Sequence, residues 1–575
     1  MKKTLSSLKS YKKECILAPL FKLLEACFEL FVPLVIADII DIGISGGNKG
    51  YVWGRVGILA LLAVCGLAFA ITAQYFAAKA AVGFASKLRH ALFTRIQSLS
   101  YADTDKLGTS TLITRMTADV EQVQQGVNMV LRLLLRSPFV VFGAAIMAFT
   151  VDAKSAVTFA VTIPVMSAAV MTIMLITIPL YKKVQAKLDS LLGITRENLS
   201  GVRVIRAFRK ENAEYERFVS TNGDLTRSQK FVGRISALLN PLTYVLINCG
   251  VIALIWVGAL RVNSGTISQG QVVALYNYMS QILVELVKLA MLIITLTRAV
   301  ACAKRVDGVL TTENSMTENG DKEQKHTVIG GDVEFDGVEL TYPEAGAPSL
   351  SGVNFYAPSG STVGVIGGTG SGKTSLVNLI PRFYDVTKGC VKVGGTDVQK
   401  LDAETLRKNI GIVPQRAALF KGTIRSNLLW GKEDATDEEL WEALKTAQSE
   451  NVALDKGGLD AEVEQEGRNF SGGQRQRLTV ARALVRKPKI LILDDSASAL
   501  DLKTDAALRE AISKLDYKPT VFIVSQRAAA VMNAQLIVVL DEGAVVGMGT
   551  HDELMKTCPA YEEIYSSQFK KEADR

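Results

Sequence analysis

Six stretches in the first three hundred residues, near 16–40, 53–82, 129–150, 154–180, 238–260 and 268–300, are apolar enough to cross a bilayer as helices. Each reaches the roughly 20 residues that a crossing takes. Lipid offers no partner to a backbone amide, so runs of this length commit the N-terminal half to a helical bundle. That density of apolar residues ends near residue 300, and the rest has a soluble protein's mixture. A chain of 575 residues also exceeds what one core organises. The reading is a membrane domain over 1–310, a polar linker over 311–327 and a second domain over 328–575.

The net charge of +8 does not read as a nucleic-acid surface, and no nucleic acid is expected as a partner. Many cations lie between the apolar runs, at Lys182, Lys183, Lys187, Arg203, Arg206, Arg209 and Lys210. The links after spans 2 and 4 are long and basic and the others short. Lys/Arg bias puts the long links in the cytosol, together with the N-terminus and the second domain. The expected location is the cell membrane, crossed several times, with span 1 uncleaved. Glu25, Glu29, Glu285 and Lys288 fall inside spans, where a charge costs roughly 2.5–3.5 kcal/mol at the bilayer centre, so they are expected to face a cavity or one another. Arg132 and Arg136 are expected near the cytosolic interface, free to snorkel. Seven cysteines without a CxxC pair indicate neither a disulfide framework nor a zinc site.

Beyond the linker, short β-rich runs (VEFDGVELTY, STVGVIG, NIGIVPQ, KILILDD, TVFIVSQ) alternate with helical stretches, the pattern of a largely parallel α/β sheet. STVGVI leads into GGTGSGKTS, so Gly367 to Thr374 has the spacing of a phosphate loop. Its residues Gly367, Gly368, Thr369, Gly370, Ser371 and Gly372 let backbone N–H groups close around phosphate oxygens, and Ser375 follows on the helix they open. Lys373 reaches the outer phosphates and Thr374 offers a hydroxyl to Mg²⁺. The strand KILILDD ends on Asp494, a carboxylate suited to the magnesium shell. Tyr342 is a candidate platform for adenine, worth about 1–3 kcal/mol if it stacks. The ligands implied are ATP and Mg²⁺.

Further motifs in order give the chain a family resemblance. FSGGQ, from Phe470 through Ser471, Gly472, Gly473 and Gln474, is similar to the signature of ABC ATPases. Gln415 resembles their Q-loop, and Ser498 to Asp501, SALD, their D-loop. With six spans ahead, the whole resembles an ABC exporter half-transporter. The fold so implied is an all-α six-helix transmembrane domain followed by an α/β P-loop ABC ATPase domain with a helical subdomain. The resemblance also implies that two chains pair head to tail, each ATP lying between one phosphate loop and the other chain's signature. It makes Gln415 a further ligand of the metal, and Tyr101–Ser110 and Arg209–Phe218 the segments that press on the ATPases.

Two positions depart from the family pattern. Asp495 stands where the resemblance implies a glutamate that polarises water, and Gln526 where it implies a histidine. Aspartate is one methylene shorter, so its carboxylate falls about 1 Å short, a misplacement that costs on the order of 10²-fold. Glutamine cannot carry a positive charge or shuttle a proton. His90, His326 and His551 are all distant in sequence. The losses fall on groups acting on this chain's own ATP, while the signature that serves the other site is intact. The expectation is a degenerate-site subunit that pairs with a second, non-identical half-transporter and moves a small amphipathic compound, such as a drug, lipid or peptide, out of the cytoplasm. An importer on the same scaffold, or an ATP-gated regulator, is the alternative.

Overall fold

The computed structural model describes residues 2–316, 330–343, 345–496 and 500–573. Residues 317–327 of the expected linker, and Ser498, lie outside them. The chain forms two compact units, Met1–Gln97 with Ser110–Thr312, and Ser98–Thr109 with Glu313–Arg575.

The first unit is helical throughout its described residues. Five stretches, Lys49–Ser98, Thr109–Val151, Ala153–Ser200, Glu211–Asn263 and Gln269–Thr311, are long and apolar enough to cross a membrane. The first expected span is a helix too, Lys12–Asp38, but Lys22, Glu25 and Glu29 interrupt it and it is not among those five. At 50 and 48 residues, Lys49–Ser98 and Ala153–Ser200 extend far beyond the roughly 20 that the hydrocarbon layer needs. Small residues let the helices approach: a Cβ on Gly126 would come within 2.2 Å of the Ala299 Cβ. The short links are tied by caps. Asp152 accepts from the Ser155 N–H at 3.0 Å to start one helix and takes a 2.7 Å bond from Arg261 on another.

The charges inside the spans find one another. Arg136 is only 6% exposed and donates to Glu285 at 2.5 Å and to Glu29 at 2.6 Å. Ser137 and Lys288 each donate to Glu285 at 2.7 Å. Arg136 therefore does not snorkel. Its planar fork of donors matches two carboxylates on two other helices, and burying it alone would leave an uncompensated charge.

The second unit is built on sheets. The strands are β1 (Val333–Leu340), β2 (Leu350–Ala357), β3 (Thr362–Gly367), β4 (Lys388–Val393), β5 (Thr396–Asp397) and β6 (Ile410–Val413). They continue as β7 (Gly422–Thr423), β8 (Glu462–Val463), β9 (Ile490–Asp494), β10 (Thr520–Ser525), β11 (Leu536–Asp541) and β12 (Ala544–Gly549). Six of them form a sheet in the order β12-β11-β3-β10-β9-β6, parallel except for β12. Its inner strands are buried on both faces, which is why β9 and β10 read as unbroken apolar runs. The order β2-β1-β4-β5 makes a second, antiparallel sheet, and β7 pairs with β8. A helical block containing Asp437–Thr446, Glu450–Asp455 and Gly472–Val485 packs its apolar side into the same core.

Candidate functional site

The sheet order makes β3, β10 and β9 neighbours, so the segments leaving their C-terminal ends meet at one edge. A cavity of about 490 Å³ lies there, lined by Thr369, Gly370, Gly372, Lys373, Thr374, Ser375, Gln415, Asp494, Asp495 and Gln526. Ten residues singled out from the sequence thus share one wall. Glu542, Gly543 and Ser349, which no motif flagged, line it as well.

The loop after β3 has the backbone that its glycines allow. Gly370 and Gly372 lie at φ +84° and +92°, and a Cβ on Gly372 would meet the Ser349 carbonyl at 2.8 Å. At Gly368 and Gly370 a Cβ would meet nothing within 4 Å, so the backbone there is open to a close-approaching group. Lys373 is 8% exposed, and its Nζ donates to the Gly367 carbonyl at 2.9 Å and the Gly368 carbonyl at 2.5 Å. Burial pushes its ammonium pKa down, and the charges of Asp495 and Asp494 push it back.

Thr374 donates its hydroxyl to Asp494 Oδ1 at 3.1 Å, bringing two candidate oxygen ligands together at the end of β9. Burial pushes the Asp494 carboxyl pKa up, with the charge of Asp495 adding to it and the Thr374 bond and Lys373 opposing. A buried carboxylate in that condition favours a cation beside it. Asp495 follows at φ +45°, its N–H donating to the Val524 carbonyl at 3.0 Å. Gln415, two residues beyond β6, donates to Asp495 Oδ2 at 3.4 Å.

Tyr342 does not line the cavity; its hydroxyl donates to Ser375 at 2.9 Å. Its ring meets Tyr384 edge-on, with centroids 5.0 Å apart. Tyr384 donates at 2.7 Å to Asp105 on the short helix Tyr101–Leu107, and Phe383 packs on Tyr101 at 4.4 Å. The expected coupling segment at Tyr101–Ser110 is thus largely part of this unit, whereas Arg209–Phe218 belongs to the other.

Gln526 follows β10, and its backbone is held from afar. Gln568 on the C-terminal helix Pro559–Ala573 donates to the Gln526 carbonyl at 2.8 Å and accepts from the Ala528 N–H at 2.9 Å. The signature residues do not line the cavity. Ser471 caps the helix Gly472–Val485, with Gln474 N–H donating to its hydroxyl at 3.3 Å and Ser471 N–H donating to Gln474 Oε1 at 2.9 Å. Phe470 is buried beneath, and Ser471 and Gly472 stand exposed at the helix N-terminus. Of the expected D-loop only Leu500 and Asp501 are described, and Asp501 caps the next helix through Thr504 at 2.9 Å.

Comparison with known proteins agrees with this arrangement. Residues 15–286 match the model of the ABC transporter transmembrane region, and residues 350–498 that of the ABC transporter itself. An uncharacterised ABC transporter ATP-binding protein of Mycobacterium tuberculosis is 37% identical over 566 residues, 98% of this chain and 97% of that one. The chain belongs to the ABC transporter family. Within that family, a Bacillus subtilis protein named as a putative multidrug export ATP-binding/permease protein is 30% identical over 580 residues, 99% of each. The structure of a bacterial Atm1-family ABC exporter with ATP bound superposes with a TM-score of 0.81 at 22% identity, covering 97% of this chain and 98% of that one. This ABC transporter chain therefore has the exporter fold, with its helical membrane region and ATPase domain on one polypeptide.

Proposed function

We propose that this chain is the degenerate-site subunit of a heterodimeric ABC exporter, binding Mg·ATP firmly in its own site and lending its signature to the partner's. What carries the reading is the presence of Asp495 and Gln526 on the same wall as Lys373, Thr374, Gln415 and Asp494. Groups suited to bind nucleotide are retained: the amides of residues 367–375 for phosphate, Lys373 for the outer charges and, for adenine, Tyr342, which stands outside the cavity lining but is hydrogen-bonded to Ser375 on it. Thr374, Gln415 and Asp494 would hold Mg²⁺, and the convergence of the Thr374 hydroxyl on the buried Asp494 carboxylate fits an oxygen-seeking cation. When bound, the metal neutralises phosphate charge.

The two groups that would act on water are the altered ones. Asp495 carries its carboxylate on the shorter stem, and the Gln415 amide lies 3.4 Å from it. Gln526 donates and accepts hydrogen bonds without gaining a charge. The signature, exposed and outside this cavity, is available to a second chain's nucleotide. The membrane domain over 1–310 and the ATPase domain over 328–575, joined by 311–327, then work by alternating access, with ATP favouring one state and hydrolysis at the partner's site releasing it. The cargo is a small amphipathic compound. Export agrees with the exporter fold and with the multidrug-export name of a relative. Lys/Arg bias puts the ATPase in the cytosol.

The test is retention. Purified two-chain complex turned over briefly with radiolabelled ATP should keep one nucleotide as ATP while the other becomes ADP, and Lys373→Ala in this chain should remove the retained ATP. Equal conversion of both nucleotides overturns the reading.

A further inference from the structure

The helices Ala153–Ser200 and Glu211–Ala237 enclose an open groove of about 490 Å³ in the membrane unit, in which the nucleotide has no part. Lys183 and Lys187 share one helical face with Leu180 and Val184, at spacings of three and four residues, and Arg227 and Phe231 oppose them from the other helix. Among the lining residues the one carboxylate, Asp224, is already paired with Arg227. Lys187 donates to Ser228 Oγ at 2.8 Å, while Lys183 has no hydrogen bond or ion pair among the described residues. Phe231 is 55% exposed beside these cations.

The groove's place in the chain narrows its ligand. Leu180 closes one apolar run and the apolar part of the next span begins near 238, so the groove lies where both helices leave the hydrocarbon layer. Tyr181, exposed and hydrogen-bonded through its hydroxyl to Ser236 at 3.2 Å, marks that level as an interfacial aromatic does. A water-borne anion would have no use for Leu180, Val184 and an exposed Phe231. A membrane lipid uses both halves of such a lining.

We propose that this groove binds the head of an anionic phospholipid, the phosphate oxygens between Lys183, Lys187 and Arg227, and the glycerol and first acyl carbons along Leu180, Val184 and Phe231. Basic pockets between helices at the cytoplasmic interface attract such heads, and charge-assisted bonds to phosphate are the strong kind. A lipid seated there would tie these two long helices together just outside the bilayer.

Native mass spectrometry of the full chain, titrated with phosphatidylglycerol or phosphatidylcholine, tests this. The expected result is one saturable phosphatidylglycerol and no comparable phosphatidylcholine. Lys183→Gln with Lys187→Gln should weaken retention about thirtyfold, roughly a factor of five per lysine. Lys182→Gln with Lys230→Gln removes the same charge outside the groove and should leave retention unchanged. Phe231→Ser should weaken lipid binding while leaving the binding of inorganic phosphate as it was. Equal losses from both double variants would reduce the site to diffuse charge, and equal retention of the two lipids would make it ordinary lipid contact. Displacement by millimolar phosphate with Phe231→Ser silent would make it a free-anion site. Any of these overturns the proposal, and none bears on whether the chain exports.

Discussion

Asp494 and Asp495 are adjacent, yet Asp494 is buried and accepts from Thr374 while Asp495 is half-buried and accepts from Gln415. Burial raises the pKa of the Asp494 carboxyl, so the fold disfavours its ionised form. A carboxyl raised in this way destabilises little below the ordinary carboxylate range, and its cost grows as pH rises through the raised value. Asp494→Asn should therefore raise the melting temperature of the nucleotide-free protein at neutral pH, since the amide oxygen can still accept from Thr374. That gain should shrink as pH falls, and Mg·ATP should no longer add stability. Thermal melts across pH with and without Mg·ATP measure it; a variant that melts lower at neutral pH contradicts the assignment of Asp494 as a buried cation ligand. Asp495 is tested differently. Asp495→Glu alone should change complex ATPase little, and only together with Gln526→His should this site turn over, because residues that act as a unit are not additive. Single-turnover rates of the retained ATP would show it.

At the scale of elements, sequence and structure part company in instructive places. The parallel strands and the loop Gly367–Thr374 were legible because buried strands and phosphate loops need local residue types in local order. The burial of Arg136 is not legible in the sequence because its partners, Glu29 and Glu285, lie 107 and 149 residues away, and no periodicity announces a bond between helices. The helix Lys12–Asp38 was legible as a helix, while its charges become intelligible only once those partners are known. Tyr384 and Gln568 were invisible for the same reason. Gln568 holds the backbone on both sides of Arg527 with two bonds, so the C-terminal helix anchors the backbone that carries Gln526. A bond of that kind contributes about 1 kcal/mol net, so Gln568→Ala should speed amide exchange at Ala528 roughly fivefold. Exchange within β10 itself, Thr520–Ser525, should be unchanged. A uniform rise across the sheet would mean that Gln568 supports general packing and does not set this segment.

For the whole molecule, the proposed division of labour has one chain's phosphate loop and its signature serving different nucleotides. The cavity that holds Asp495 and Gln526 excludes the signature, and the signature's cap leaves Ser471 and Gly472 exposed at the N-terminus of Gly472–Val485. A helix N-terminus whose capping hydroxyl still has its own proton to donate is suited to the γ-phosphate of a nucleotide on another chain. Ser471→Ala in this chain should therefore lower steady-state ATPase of the two-chain complex about 10²-fold, or about 2.7 kcal/mol of transition-state stabilisation. Asp495→Ala should leave it within about twofold, because by this reasoning the turnover takes place at the partner's nucleotide. The chain by itself should hydrolyse ATP far more slowly than the complex, since both sites of a homodimer would carry Asp495 and Gln526. Steady-state assays on the purified complex, each variant checked for assembly, decide between the two chains. Should the Ser471 variant keep its activity while Asp495→Ala loses it, hydrolysis occurs in this chain's own site, and the division of labour between the two subunits fails.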